Sequence, residues 1–392
     1  MTQVLIAGVG MTPFGRFPGR GLRAMSESAA DAALLDAGIP VADVQKVFFG
    51  NAVAGIVSQQ EMIRGQVALR HHPLGSKSLI NVENACASGG SALNLAFEAI
   101  VSGRAEVVMV IGAEQLNHDD KSRPFNALRG STDIEEIGEA LPGQMATNSI
   151  LMDFYAGVAR DYMRNHHATA EDFARVAVKN RRHASLNELA HFRTLQTLEE
   201  VMASRMIVDP LRLAMCAPTT DGAAALLLCS AAYGKRLKRP QAVELVSSHV
   251  APSPGPGLSP VRPAAQAAYE ATGISASEFD LIELHDAAAP AELLQYGEIG
   301  LCEAGQAHHL VRQGKTDLGG ETPVNVSGGL LSRGHPLGAT GCAQVVELCH
   351  QLRGEAGRRQ VKNARVGLAI NGGGWLAGTY ALAVSSVLKR ID

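Results

Sequence analysis

A helix with no polar face has to be buried on every side, and that requirement constrains this chain more than any other. From Ser91 to Ile100 the only polar side chains are Ser91, Asn94 and Glu98, so the segment predicts a helix in the middle of a large core rather than on a surface. A short strand-like run, Ser78 to Val82, leads into it through Asn84-Ala85-Cys86-Ala87-Ser88-Gly89-Gly90, where a cysteine has only small neighbours. Gly103 closes the helix, and a buried strand, Glu106 to Ile111, follows. The pattern returns near the other end: a strand at Pro323 to Val326, a glycine-rich turn, a long helix at Ala339 to Leu352, Gly354, and a strand at Val366 to Ile370. Such repetition at domain scale predicts two similar halves packed together, with both glycine-rich turns facing one shared site.

The rest of the chain fits an α/β architecture with helices on the sheet faces. Val4 to Val9 and Val44 to Phe49 read as strands, Ser26 to Ala37 and Glu61 to Leu69 as helices, and Gly38 as a helix-ending glycine. Between Leu116 and Arg205 the pattern changes. Two helix-like segments, Ser149 to Asn165 and Thr169 to Ala190, follow each other without a convincing strand, and Thr169-Ala170-Glu171-Asp172 supplies an N-cap and an acidic first turn. Strand pattern resumes at Ala223 to Cys229, and a linker rich in proline and glycine runs from Ala251 to Pro263. Beyond it come Phe279 to Leu284, Pro290 to Ile299 and a last strand at Ala377 to Val384. The expected division is 1–115 with 206–250 as the first half, 116–205 as a helical insertion, and 251–392 as the second half.

Composition narrows the partners. The chain has 392 residues, of which 46% are apolar and only 19% charged, which implies much buried surface, including a subunit interface. A net charge of −3 with no basic tract argues against nucleic acid. The six cysteines, Cys86, Cys216, Cys229, Cys302, Cys342 and Cys349, form no CxxC pair, so no structural zinc site is expected. No apolar run approaches the ~20 residues of a membrane span. The first residues run straight into the strand at Val4 without a signal-peptide pattern, so the expected compartment is a reducing cytoplasm.

Four stretches carry chemistry. A cysteine at a helix N-terminus feels the positive end of the helix, which would lower its pKa and favour thiolate; taken alone, Cys86 is equally compatible with a small buried hydrophobe. The most specific stretch is Asn325-Val326-Ser327-Gly328-Gly329-Leu330-Leu331-Ser332-Arg333-Gly334-His335-Pro336-Leu337-Gly338-Ala339-Thr340-Gly341. It holds His335 in a tight turn before a helix of small residues, a placement suited to a general base beside a thiol. The strand Leu281 to Leu284 ends by presenting His285 and Asp286, where Asp286 could fix the His285 tautomer or cap the following helix. Finally, Asn371-Gly372-Gly373-Gly374 leaves backbone N–H groups unshielded, as an oxyanion hole needs.

Cys-Ala-Ser-Gly-Gly, the His-Asp strand end, Gly-His-Pro-Leu-Gly-Ala-Thr-Gly and the terminal triple glycine together resemble the thiolase superfamily over the whole chain. Gly10-Met11-Thr12-Pro13-Phe14-Gly15 and Asp221-Gly222-Ala223-Ala224-Ala225 resemble thiolase segments too, and His-Asp points to the branch of the sterol carrier protein X thiolase domain. The resemblance implies a five-layered αβαβα fold of two similar halves with a loop domain inserted in the first, as a homodimer. It implies that Cys86 carries the acyl group, His335 activates it, His285 polarises the thioester carbonyl, and Gly372 offers a backbone oxyanion donor with the Cys86 N–H. Two departures stand out. Aligning the glycines puts Ile370 where ordinary thiolases hold their second cysteine, and Ala287 stands where the sterol-carrier branch holds it. What survives resembles the Cys-His-His set of β-ketoacyl synthases. Either His285 is the second acid/base, another cysteine reaches in (Cys216 or Cys302, both better read as core), or no such shuttle is needed.

The resemblance further implies coenzyme A thioesters as substrates, with no permanently bound cofactor and no metal. Lys179, Arg181 and Arg182, beside His183, are the candidate contacts for coenzyme A phosphates, although a charged helix run is more often a solvated face. The implied activity is acyl transfer on acyl-CoA or 3-oxoacyl-CoA, with thiolytic retro-Claisen cleavage foremost. The alternatives are a thiolase, acetyltransferase or retro-aldolase dependent on a small OB-fold and zinc-ribbon subunit, and a non-catalytic acyl-CoA-binding subunit.

Overall fold

A computed structural model describes residues 2–140, 149–237 and 243–391 of the chain. Among these residues nine strands form one sheet: β1 (Val4–Met11), β2 (Lys46–Gly50), β3 (Ser78–Val82), β4 (Val107–Glu114), β5 (Gly222–Ser230), β6 (Val243–Pro252), β7 (Leu281–Glu283), β8 (Val366–Gly373) and β9 (Leu382–Arg390). Their order is β3-β2-β4-β5-β1-β6-β9-β8-β7. The first five strands in that order come from residues 4–230 and the last four from residues 243–390; β6, most of which the expected bound at 250 puts in the first half, pairs along its length with β9. Among the described residues the sheet passes from one group of strands to the other where Val4–Ile6 of β1 pairs with Val243–Leu245 of β6.

Helices α1 (Leu22–Ala37), α2 (Ser88–Val101), α3 (Ile150–His166), α4 (Ala170–Ala184), α5 (Val261–Thr272), α6 (Ala289–Glu298) and α7 (Leu337–Arg353) complete the layers. On the outer face of the first half, α1 packs on β1. The approach is close enough that a Cβ at Gly8 would sit 2.2 Å from the Ala33 carbonyl oxygen. Between the halves lie α2 and α7, sharing one apolar cluster with residues of β1, β4, β5 and β6. With α5 on the outer face of the second half, this is the five-layered αβαβα thiolase fold. The two glycine-rich helix starts meet: a Cβ on Gly89 would fall 2.6 Å from the Gly338 carbonyl oxygen, and one on Gly341 would fall 2.4 Å from the Gly90 nitrogen. The repeated turns thus pack against each other, as the duplication predicts.

The helical insertion is bound into the second half rather than laid over it. Tyr155, Tyr162, Phe173 and Val176 share one core with Ala264, Leu284 and Tyr296. Thr169 and Asp172 form a reciprocal capping box at the start of α4, as the sequence indicates. Three expectations change. The strand β6 is absent from the sequence reading because Glu244, Ser247, Ser248 and His249 mask its pattern; Ser247 and Ser248 are nevertheless buried, and Asn94 of α2 donates to the Ser248 carbonyl at 2.9 Å. Pro323 to Val326 makes only a single bridge, Ile282 to Val324, because Asn325 turns the chain at φ +55°. The final strand starts at Leu382, since Ala377 (φ +47°) and Gly378 (φ +88°) form a turn.

Lys179 also departs from expectation. Its side chain is 2% exposed; the ammonium lies 2.8 Å from the fully buried Glu292 carboxylate and donates to the Val324 carbonyl at 2.7 Å. Glu292 accepts further from Asn180 and Asn325, at 2.8 and 2.7 Å. The ion pair pins α4 of the insertion to α6, the helix that follows His285. Breaking one side of such a buried pair strands a charge. Lys179→Met is therefore expected to destabilise the protein by about 3–5 kcal/mol in urea unfolding; a change below about 1 kcal/mol would contradict the pinning role.

Candidate active site

The site forms where four chain segments converge. Cys86 sits in a single 3-10 turn, Ala85–Ala87, immediately before α2. Ala85 is held at φ +48°, a conformation that non-glycine residues seldom adopt, so the surrounding packing determines where the thiol points. His335 follows Gly334 at φ +116°, a value only glycine takes without strain, and its N–H donates to Thr220 Oγ1 at 2.7 Å. His285 leaves the end of β7, its backbone clamped by the Gln295 side chain at 3.1 and 2.8 Å. Gly372, at the end of β8, lines the same cavity. Cys86 Sγ and one ring nitrogen from each histidine lie within 4.8 Å of one another, and the imidazole rings cross nearly edge-on at 5.1 Å.

Hydrogen bonds assign the two histidines opposite tautomers. The Thr340 hydroxyl donates to the Pro336 carbonyl at 2.9 Å, so at 2.8 Å it accepts from His335 Nδ1–H. His335 Nε2 is then left with a free lone pair. Asn371 Nδ2 donates to the Cys86 carbonyl at 3.1 Å, which fixes the amide orientation, and its second hydrogen points to His285 Nδ1 at 3.2 Å. His285 Nδ1 is therefore the acceptor and its Nε2 carries the hydrogen. One imidazole is arranged as a base and the other as a hydrogen-bond donor.

Electrostatics reverse one expectation. Burial, reinforced by the nearby Glu114 carboxylate, pushes the Cys86 thiol up to about 12, and the helix-end effect does not offset it. Burial lowers His335 well below the usual histidine value, helped by His285 and Arg333. It takes His285 down to about 3, with Arg333 adding to the effect. The resting site is a neutral thiol beside two neutral imidazoles, not a thiolate–imidazolium pair. Glu114 is itself raised to about 7 by burial, against the N–H groups of Ala52, Val53 and Gly338. Its carboxylate ties the segment after Asn51 to the start of α7.

Asp286 does not set the His285 tautomer. It accepts from the Leu330 N–H at 2.7 Å and from Asn180 at 2.8 Å, and so anchors the turn after Asn325 to α4. Arg181 is buried with its guanidinium 4.3 Å over the Phe192 ring, and Arg182 pairs at the surface with Asp317. Cys216 lines the cavity, but its Sγ turns to the Arg212 carbonyl at 3.5 Å; Cys302 packs at the edge of the C-terminal core. Ala287 and Ile370 leave no thiol at either expected place. The sequence reading missed the Asn371 side chain, Thr340 and Glu114. Asn371 and Thr340 lie inside motifs quoted for their glycines, and a polar side chain in each was the available signal.

Above the thiol opens a cavity of about 630 Å³, walled by Phe125, Leu128, Met152, Tyr155, Trp375 and Tyr380. Cysteine with two histidines is a donor set that zinc accepts, and among the described residues it is the one cluster of that kind. With His335 Nδ1 and His285 Nδ1 already engaged, the free nitrogens bear on the thiol and whatever carbonyl lies over it. That is the equipment of acyl transfer to sulfur.

A five-layered duplicated fold around a buried Cys-His-His centre defines a thiolase-type acyl-transfer protein. The thiolase N-terminal domain family matches residues 4–232 and the thiolase C-terminal domain-like family residues 242–389. Sterol carrier protein 2 of Bos taurus is 36% identical over 391 residues, covering 94% of this chain and 70% of its own length. Acetyl-CoA acetyltransferase of Methanothermobacter thermautotrophicus is 36% identical over 393 residues, covering 98% of this chain and 100% of its own. The benzoylsuccinyl-CoA thiolase subunit BbsB of Thauera aromatica is 36% identical over 385 residues, covering 95% of each. Among solved structures, the Ltp2-ChsH2(DUF35) aldolase superposes with a TM-score of 0.79 at 25% identity, covering 99% of this chain and 97% of that one. The chain belongs to the thiolase family, and it is an acyltransferase of thiolase type acting on acyl-CoA thioesters. Among the described residues no helix is long and apolar enough to cross a membrane.

Proposed function

We propose that the protein cleaves 3-oxoacyl-CoA thioesters by thiolysis through an acyl-Cys86 intermediate. The observation that carries this reading is the convergence of the Cys86 thiol with two imidazoles in complementary tautomers. His335 Nε2 takes the thiol proton as sulfur attacks the 3-oxo carbonyl. The His285 Nε2–H and the Gly372 amide stabilise the negative oxygen. The carbon–carbon bond breaks to release an acyl-CoA, and a second coenzyme A thiol removes the acyl group from Cys86. Removing one oxyanion donor typically costs ~10²–10³ in rate; His285→Ala is expected to lower kcat by that factor with KM little changed. A loss below threefold would remove His285 from the mechanism.

The cavity suits a bulky apolar or aromatic acyl group, given its Tyr155, Trp375 and Tyr380 walls. Arg205 is the cation that lines it, so the phosphates of coenzyme A are assigned to Arg205 rather than to Lys179, Arg181 or Arg182. No permanently bound cofactor is needed for this chemistry. The edge strand β3 exposes Ile80, and Met62 and Ile63 stand exposed beside it, a surface suited to a second copy of the chain in a homodimer. The expected compartment remains the cytoplasm.

A second reading keeps the site and adds a small OB-fold and zinc-ribbon subunit. It is favoured by the likeness to a solved aldolase that pairs its thiolase-like chain with a DUF35 chain, and by a relative described as a thiolase subunit. The test of both is a panel of 3-oxoacyl-CoA substrates assayed with the chain alone and with such a subunit added. Activity of the lone chain supports the first reading, and activity only on addition supports the second. A mass increase on Cys86 in neither case would overturn both.

A further inference from the structure

The geometry points to a site that runs on one mobile proton: His335 carries it in both half-reactions, while Asn371 holds His285 as a fixed neutral donor that neither accepts nor releases one. The inference rests on the acyl-Cys86 reading above and concerns what replaces the second cysteine.

Both places where relatives would hold that thiol are filled by carbon, at Ala287 and Ile370. Cys216, although it lines the cavity, gives its Sγ–H to the Arg212 carbonyl and does not join the cluster around Cys86. His285 can receive no proton on Nε2, which already bears one. Its Nδ1 faces the Asn371 amide nitrogen at 3.2 Å, and the same nitrogen donates to the Cys86 carbonyl at 3.1 Å, which holds the amide in that orientation. An imidazolium at His285 would face an N–H donor at Nδ1 and the Arg333 charge. Release of the Nε2 proton would leave an imidazolate in a buried site. His285 thus stays a hydrogen-bond donor throughout. His335 differs: its Nδ1–H is anchored on Thr340, and its Nε2 is open.

The balance closes with this one carrier. In the first half-reaction Cys86 S–H loses its proton to His335 Nε2 and the sulfur–carbonyl bond forms. The Cα–Cβ bond then breaks with its electron pair staying on Cα, and the same proton passes from His335 to Cα, releasing acetyl-CoA when Cα is unsubstituted and leaving the shortened acyl group on Cys86. In the second, coenzyme A S–H gives its proton to His335, its sulfur takes the acyl group, and Cys86 sulfur leaves and recovers the proton. No oxidant or second protein thiol is needed.

Asn371 is a positioning residue, and Asn371→Asp inverts its effect on His285. A carboxylate draws a hydrogen onto His285 Nδ1, so the neutral ring loses Nε2–H and only the imidazolium keeps the donor. The working form of the variant is therefore protonated at His285, and its activity falls as pH rises through the raised pKa. The kcat deficit relative to wild type is expected to be at least tenfold larger at pH 8.5 than at pH 6. A deficit of equal size at both pH values, in a folded variant, would make Asn371 merely structural and overturn the tautomer lock.

A second measurement stands even if that variant does not fold. His335→Ala, acetylated on Cys86 by an activated acetyl ester to bypass the nucleophilic step, is incubated with acetyl-CoA in D₂O beside identically acetylated wild type. Wild type should place deuterium on the acetyl-CoA methyl carbon, and the variant should do so no faster than buffer. Exchange in the variant at the wild-type rate would reveal a second proton carrier and overturn the proposal. If wild type itself cannot be acylated by any acyl-CoA, the failure belongs to the acyl-Cys86 reading.

Discussion

Cys86→Ala is expected to lower turnover of any 3-oxoacyl-CoA substrate by about 10⁴-fold or more, because removing a nucleophile abolishes the covalent route. The fold should survive. Cys86 lies in a one-turn element at the cavity floor, and its backbone carbonyl, which holds Asn371, is untouched. The physical argument depends on the neutral resting state. A thiol held up to about 12 by burial and Glu114 does not attack spontaneously. It must lose its proton as the substrate carbonyl develops negative charge against the His285 and Gly372 donors. The same argument makes the thiol slow toward alkylating reagents in the free enzyme, although it lies at the bottom of an open cavity. Steady-state kinetics with circular dichroism as the folding control checks the first point; turnover within tenfold of wild type would remove Cys86 from the reaction.

His335→Ala is expected to be nearly as damaging, with kcat down by about 10³–10⁴-fold, the upper range of what a positioned base contributes. The loss should appear in both half-reactions when they are measured separately. Formation of the acyl-enzyme requires the thiol proton to leave, and its breakdown requires the coenzyme A proton to leave, and both are assigned to the one open Nε2. Thr340→Val is a milder probe of the same arrangement, since it removes the acceptor that holds the Nδ1–H tautomer. Single-turnover measurement of acylation and deacylation distinguishes the outcomes. A His335→Ala enzyme impaired in only one half-reaction would require a second base in the other.

The fold was largely legible because its strongest signals are local. The all-apolar helix after Cys86, the Thr169–Asp172 cap and the glycines at 89, 90, 338 and 341 each specify their own neighbourhood. The duplicated pattern then brought the two turns together. What escaped the sequence depends on burial between distant segments. Nothing near Lys179 in the chain indicates Glu292, yet that pairing turns a candidate phosphate ligand into an internal brace. The N-terminal position of Cys86 on its helix suggested a thiolate; the surrounding layers and Glu114, contributed by a strand end 28 residues later, make it a thiol. His285 and His335 were found from their motifs, but their protonation was not. That information sits in Asn371 and Thr340, and only the folded site shows which nitrogen each one meets. The strand β6 was hidden for a related reason: its serines are polar by type and buried by position.

The central claim is that Cys86 takes the acyl group. The most direct measurement is mass spectrometry of the protein after brief incubation with a panel of acyl-CoA and 3-oxoacyl-CoA thioesters, with coenzyme A withheld, followed by peptide mapping. The account predicts a mass increase equal to the acyl group, located on the peptide containing Cys86, reversed on adding coenzyme A and absent in Cys86→Ala. Turnover with Cys86 unmodified, or an acyl group on any other residue that coenzyme A removes at the catalytic rate, would contradict it.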